Sequence, residues 1–440
     1  MHVGCPINSL EAHAARESDS FWYRGAEPAD ISAVAWQRTK RITLPETVLG
    51  LGDTGVFFVQ CEDDRVLIVK GAKMDADGIA RAAAPIEMLA NVLFRAVGLA
   101  VPTIRVVSES GYDGGAEWLE LCQAVQRLAV VQDQWARPEV DEWIANPHVL
   151  LVDSRVGRSI ASMGQQEALR SLKVSDGDLL RQLGGIMAVD MLLNFHHRFP
   201  LLRDGPADLS SVLVVGQHLG GTPMAMACGN SAVPPSGEIH RDEIVADVQL
   251  VMLSIKLAWE ECQLEGKGQG QGGAGDRSAV GSLCMPMRRV VVAIQDRHNV
   301  ALGVKGGKQL QQGFVAVARQ LAWLTDEEAS LDELLQAVHA MVDPRPLPGS
   351  VAECGPSELW ARPLLTILRQ PPGLQLLGQV ANIYADMFGK SDVPPAALDS
   401  TLAEVRAAGE SLAAESLERK LATEEAELEK AGAILRAQFA

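Results

Sequence analysis

The chain has 440 residues, a formal net charge of −17, 47% apolar residues and 22% charged ones. That length suits two lobes plus an appendage, and the composition suits a folded globular protein rather than a disordered one. The negative charge argues against a nucleic-acid groove or an anionic membrane as partner for the whole molecule, because both need a positive field. Seven cysteines (Cys5, Cys61, Cys122, Cys228, Cys262, Cys284, Cys354) are scattered singly. Without a CxxC pair, neither a zinc site nor a disulfide framework is indicated, and reduced thiols are expected. No basic stretch leads into an apolar run at the N-terminus, and no apolar run reaches membrane-spanning length, so a cytoplasmic location is expected.

Residues 1–41 read as an N-terminal extension with isolated aromatics Phe21, Trp22, Tyr23 and Trp36. From Ile42 the pattern turns β-rich. The turn Gly50-Leu51-Gly52-Asp53-Thr54-Gly55 leads into Val56-Phe57-Phe58-Val59, then an acidic turn, then Val66-Leu67-Ile68-Val69-Lys70, which together predict a hairpin. Residues 85–98 space their apolar side chains helically, with Pro85 near the start and Gly98 at the end. Strands are predicted at Thr103 to Val107 and at Val149 to Val152, so the first part is a small sheet with one important helix.

Beyond about residue 154 the chain reads as predominantly helical. Leu179 to Asn194 is its most apolar helix and should run through a core. Residues 266–281, opening Gly-Lys-Gly-Gln-Gly-Gln-Gly-Gly, lack apolar anchors and read as a flexible surface loop. After Pro394-Pro395, residues 396–440 read as an amphipathic helix. Leu421, Leu428 and Leu435 lie seven apart with Leu417, Ile434 and Phe439 nearby, and Gly409 interrupts. It either packs back on its own chain or binds a protein partner.

The order of glycine turn, Val-Phe-Phe-Val strand, hairpin, Val-Lys strand, Glu-bearing helix and Gly-Leu-Ala-Val-Pro-Thr-Ile-Arg-Val-Val resembles the opening of the actin-fragmin kinase catalytic-domain family. Leu150-Leu151-Val152-Asp153 with Val156-Gly157 is similar to that family's hinge, and Gln182 to Pro200 to the stretch ending in its catalytic loop. Leu310-Gln311-Gln312-Gly313-Phe314 resembles a later helical landmark, so the similarity spans residues 42 to 390. The resemblance implies an α+β, two-lobed protein-kinase-like fold. Its β-rich N-lobe would be 42–153 and its larger helical C-lobe 154–393, followed by the C-terminal helix at 394–440.

Phosphoryl transfer needs a lysine on the phosphates, a glutamate holding that lysine, an aspartate for the substrate hydroxyl, and Asn plus Asp on magnesium. The resemblance places Lys70 and Glu87 as the clamp, with Gly52 and Gly55 flanking the nucleotide. Asp53 and Thr54 depart from the family's glycine turn and weaken its phosphate cradle. His197 stands at the expected catalytic aspartate, while Ser211 and Cys228 stand at the expected metal ligands, where a hydroxyl and a thiol serve magnesium poorly.

The resulting expectation is a pseudokinase acting as a structural or interaction component of a larger assembly, cytoskeletal or ciliary by the family's association, with protein partners. ATP and magnesium are implied only for the alternative, an active Ser/Thr kinase using Asp190 or Asp204 with Lys70. A small-molecule kinase of the aminoglycoside type would also want the missing aspartates. Asp296-Arg297-His298-Asn299 resembles a phosphoinositide-kinase motif, but reads better as a charged turn preceding a helix.

Overall fold

Val56–Gln60 (β2) and Val66–Gly71 (β3) pair antiparallel from Val56 opposite Lys70 to Gln60 opposite Val66, which makes the expected hairpin. Asp63 closes its acidic turn by accepting from the Arg65 backbone at 3.2 Å and from its guanidinium at 2.5 Å. In the computed structural model, the described residues are 31, 34–43, 56–63, 65–71, 83–108, 115–132, 148–153, 157–173, 178–195, 198, 199, 201, 209–215, 224–227, 238–268, 284–325 and 371–392. The Gly50–Gly55 turn and the C-terminal helix read at 396–440 lie outside them.

Arg41–Thr43 (β1), Ile104–Ser108 (β4) and His148–Asp153 (β5) complete an antiparallel sheet in the order β1-β2-β3-β5-β4. Side chains alternate across a strand. Ile68 and Lys70 therefore turn to one face, toward the helix Ala83–Ala96 (α1), while Leu67 and Val69 turn to the other. That second face is covered by a helix absent from the sequence reading, Ala116–Gln132 (α2), which buries Trp118, Leu121, Cys122, Val125 and Leu128. Burial on both faces explains why β3 is apolar without alternation.

Trp36, within the segment read as an extension, belongs to this same core and is fully buried. Its indole donates to Glu117 Oε1 at 3.1 Å, and Arg105 grips the same carboxylate through two bonds of 2.6 and 2.7 Å.

A second sheet joins Gly157–Ser159 (β6), Val212–Val215 (β7) and Met224–Ala227 (β8), all antiparallel. Ala100, in the segment between α1 and β4, bridges to Met226, and its carbonyl accepts from Ala227 N at 3.1 Å. Around this sheet lie Gln165–Lys173 (α3), Asp178–Leu192 (α4), Glu238–Gly268 (α5), Met285–His298 (α6), Gly303–Leu321 (α7) and Pro371–Phe388 (α8). α5 runs to Gly268, so the first three residues of the stretch read as a flexible loop are helical, and residues 269–281 lie outside the described ones. The described part is mixed helix and strand, mostly helical with two small sheets, and is compatible with a kinase-like fold.

α4 is buried along nearly its whole length, as its apolar sequence predicts. Its packing on α7 depends on glycine. A Cβ at Gly184 would fall 1.9 Å from Leu310 O, and one at Gly313 1.8 Å from Arg181 O, so the two backbones touch where no larger residue fits. Gly184→Ala is expected to lower the unfolding free energy by ~3 kcal/mol or more, since it forces rigid backbone apart. Gly378→Ala, in α8 where nothing lies within 4 Å of the added carbon, should instead gain ~0.5–1 kcal/mol. Urea denaturation of the two variants tests this opposition in sign.

Candidate active site

Lys70 is the last residue but one of β3, on the sheet face that α1 covers, and Glu87 lies in the first turns of α1. The ammonium donates to Glu87 Oε2 at 2.5 Å, with side-chain exposures of 18% and 7%. α1 is held in place by its own sequence. Asn91, one turn after Glu87, donates to Pro102 O at 2.8 Å, and Gly98 supplies the positive φ of 73° that reverses the chain after the helix.

The end of α4 sets the next part of the site. Asn194 takes a left-handed φ of 55°, its amide bonds Met191 O at 3.2 Å, and Phe195 N bonds Asp190 O at 2.7 Å. These two bonds around a left-handed residue form a Schellman cap, which fixes where the following segment leaves the helix. Arg198 then turns inward and is fully buried. Its Nη1 donates to Asp190 Oδ1, and its Nε donates to Ser211 Oγ at 3.2 Å. The guanidinium carbon lies 4.9 Å from the Phe195 ring centre and 5.9 Å from that of Phe94 on α1. Burial pushes the Asp190 carboxyl up to about 6, against the opposing pull of Arg198. Tyr384 donates to Ala188 O at 2.8 Å beside this pair, and burial raises its phenol well above the ordinary value.

This geometry removes Asp190 as a proton acceptor for a substrate, because its carboxylate is enclosed and bonded to Arg198. Ser211 fits magnesium poorly, since its hydroxyl already meets a guanidinium whose charge opposes a second cation. Among the described residues no three His, Cys, Asp or Glu side chains gather into a metal-binding group. Gly52, Asp53, Thr54, Gly55, His197, Asp204 and Cys228 lie outside the described residues.

Two sequence readings change. Asp296, Arg297 and His298 form the last turn of α6 rather than a turn preceding a helix, and Asn299 caps it at φ 50°. His298 is buried with Nδ1 3.1 Å from Met163 O, and burial lowers its pKa. Arg198 carried no role in the sequence reading. Its signal was available, since an arginine eight residues after an aspartate within an apolar run needs a buried partner.

Residues 15–217 match the family model described as actin-fragmin kinase, catalytic. This match supports membership of that family over the matched stretch. The actin-fragmin kinase match contains Lys70, Glu87, Asp190, Arg198 and Ser211. It starts inside the segment read as an extension, and it stops before Cys228 and Leu310, short of the reach to residue 390 that the sequence suggested. No curated protein matches the chain.

Arg198→Ala leaves Asp190 alone in a dry site and is expected to cost ~3–5 kcal/mol of stability by chemical denaturation. The pair also has a pH signature. The folded-state carboxyl titrates at about 6 against an ordinary 3.8. Its contribution to stability is therefore fully present below about pH 4 and is lost as pH rises through the folded value. The stability of the native chain relative to Asp190→Asn should thus increase between pH 7 and pH 4; a difference independent of pH would show that the folded carboxyl is not raised.

Proposed function

We propose that the chain is a pseudokinase of the actin-fragmin kinase-like family, a kinase-like body kept for protein interaction in a larger assembly. The observation that carries this reading is the contrast between two ion pairs. Lys70 and Glu87 retain the arrangement that would orient the phosphates of a nucleotide. Beyond α4, Asp190 and the Ser211 hydroxyl are instead committed to Arg198. The sequence completes the contrast, with His197 at the expected catalytic aspartate and Cys228 at the expected metal-binding aspartate. An imidazole does not reproduce a carboxylate in metal-linked geometry, and a thiol is a soft ligand for a hard cation.

The cytoskeletal association of the proposed partners, and a cytoplasmic or ciliary setting, come from the family's association alone. Among the described residues no helix is long and apolar enough to cross a membrane. The competing reading, an ATP-dependent Ser/Thr kinase with atypical residues, is favoured by the same Lys70–Glu87 pair.

Phosphate release from ATP with magnesium separates the two. The native chain should release phosphate no faster than Lys70→Met, while any ATP-induced rise in melting temperature should be smaller in Lys70→Met than in the native chain. Turnover that depends on Lys70 would overturn the pseudokinase assignment.

A further inference from the structure

An open pocket of about 510 Å³ lies between α5, α7 and α8 and shares no residue with the site around Lys70 and Arg198. That volume falls within the ~300–1,000 Å³ of small-molecule sites. Its apolar wall is Trp259 of α5, Val315 of α7, and Met387 and Phe388 at the end of α8. Three charged side chains complete it: Lys256 and Glu260, one turn apart on α5, and Arg319 on α7.

The wall is formed before any ligand arrives. Phe388 meets Phe314 of α7 edge to face, with ring centres 6.5 Å apart and planes at 72°. Gly389 takes a φ of 71° and its amide donates to Ala385 O at 2.9 Å, which ends α8. The chain beyond is tied back to α7. Ser391 N donates to Arg319 O at 3.2 Å, Arg319 Nη2 donates to Lys390 O at 3.0 Å, and Trp323 Nε1 donates to Ser391 O at 3.2 Å. A ligand therefore meets fixed helices, and little ordering cost opposes its binding.

The charges of the pocket do not balance. Arg319 Nε is enclosed without a hydrogen-bond partner. Among the described residues no carboxylate pairs with Arg319 or with Lys256, although Glu260 stands four residues after Lys256. The lining thus sets two cations against one anion, in a chain whose overall charge is −17. A local reversal of sign beside an aromatic wall suits an anion with an apolar body.

We propose that this pocket binds a small aromatic monocarboxylate, with the carboxylate at Lys256 and Arg319 and the ring against Trp259 and Phe388. One negative charge is what the lining lacks. A phosphate monoester carries nearly two at neutral pH, and the excess would face Glu260. A neutral ring would forgo the charge-assisted bonds that the two cations offer. A flat body suits Trp259 and Phe388, because aromatic rings gain from offset or edge-on contact with another ring. This inference does not depend on the pseudokinase reading.

Titration of the full chain with 2-naphthoate, followed by calorimetry and by melting temperature, tests it. Binding should saturate at one site with a Kd of about 1 mM or tighter, ordinary for a ligand of that size, and should raise the melting temperature. The uncharged 2-naphthalenemethanol should bind at least about tenfold more weakly, and Lys256→Met should weaken naphthoate by about tenfold. Glu260→Gln should strengthen it by about two- to fivefold, since a like charge is removed. Lys305→Met, at an exposed position of α7 outside the pocket, should leave affinity unchanged. Melting of the unliganded variants checks that all three fold. No saturation by about 10 mM would overturn the proposal, as would equal binding of the alcohol or an affinity unmoved by both α5 substitutions. Displacement of naphthoate by an equal concentration of inorganic phosphate would overturn the choice of a monocarboxylate.

Discussion

A guanidinium buried without exposure to water is the most demanding element of this structure, and much of the helical core is arranged around it. Arg198 would be prohibitively costly there alone, because its hydration is replaced by few polar contacts. Asp190 supplies the countercharge, Ser211 a neutral acceptor, and the faces of Phe195 and Phe94 a polarisable lining. The pair draws together the end of α4, the segment beyond it, the turn before β7 and one side of α1. It also commits the Asp190 carboxylate and the Ser211 hydroxyl to Arg198.

α1 connects this pair to the Lys70–Glu87 bridge. Glu87, Asn91 and Phe94 lie four and then three residues apart, so they form one stripe down the helix. Glu87 meets β3, Asn91 meets the approach to β4, and Phe94 meets Arg198. A rotation of α1 about its axis would disturb all three contacts together. The orientation of Glu87 toward Lys70 is therefore held from the other end of the helix by the packing around Arg198.

Periodicity made the long elements legible in the sequence. The β2–β3 hairpin, α1 and α4 declare themselves because their apolar residues follow the period of the element and their ends carry turn or cap residues. α2 was legible in principle, with Trp118, Leu121, Cys122 and Val125 at helical spacing, but its amphipathic pattern is interrupted by few strong stops. The continuous apolar run of β3 was the better clue, since a strand buried on both faces needs a second covering layer. Single-residue geometry was harder to read. Asp190 was recognisable as buried, but its partner lies beyond a reversal of the chain at Asn194. Only the left-handed cap brings Arg198 back onto the helix it follows. The sequence suggested a charged turn at Asp296 to Asn299 because polar residues dominate there. The buried side of His298 becomes visible only when Met163 is placed against it.

The same physics bears on what a retained ion pair means. Glu87 is nearly buried, and removing Lys70 would leave its carboxylate to face the sheet with its countercharge gone. Stability alone therefore gives a reason for Lys70 and Glu87 to persist whether or not the chain transfers phosphate. The two ion pairs then share one logic: each satisfies a charge that the packing has already taken out of water, and each ties α1 to a different part of the fold. A kinase-like body can keep its shape through such pairs after its chemistry is lost, because the burial that makes them necessary belongs to the fold and not to the reaction.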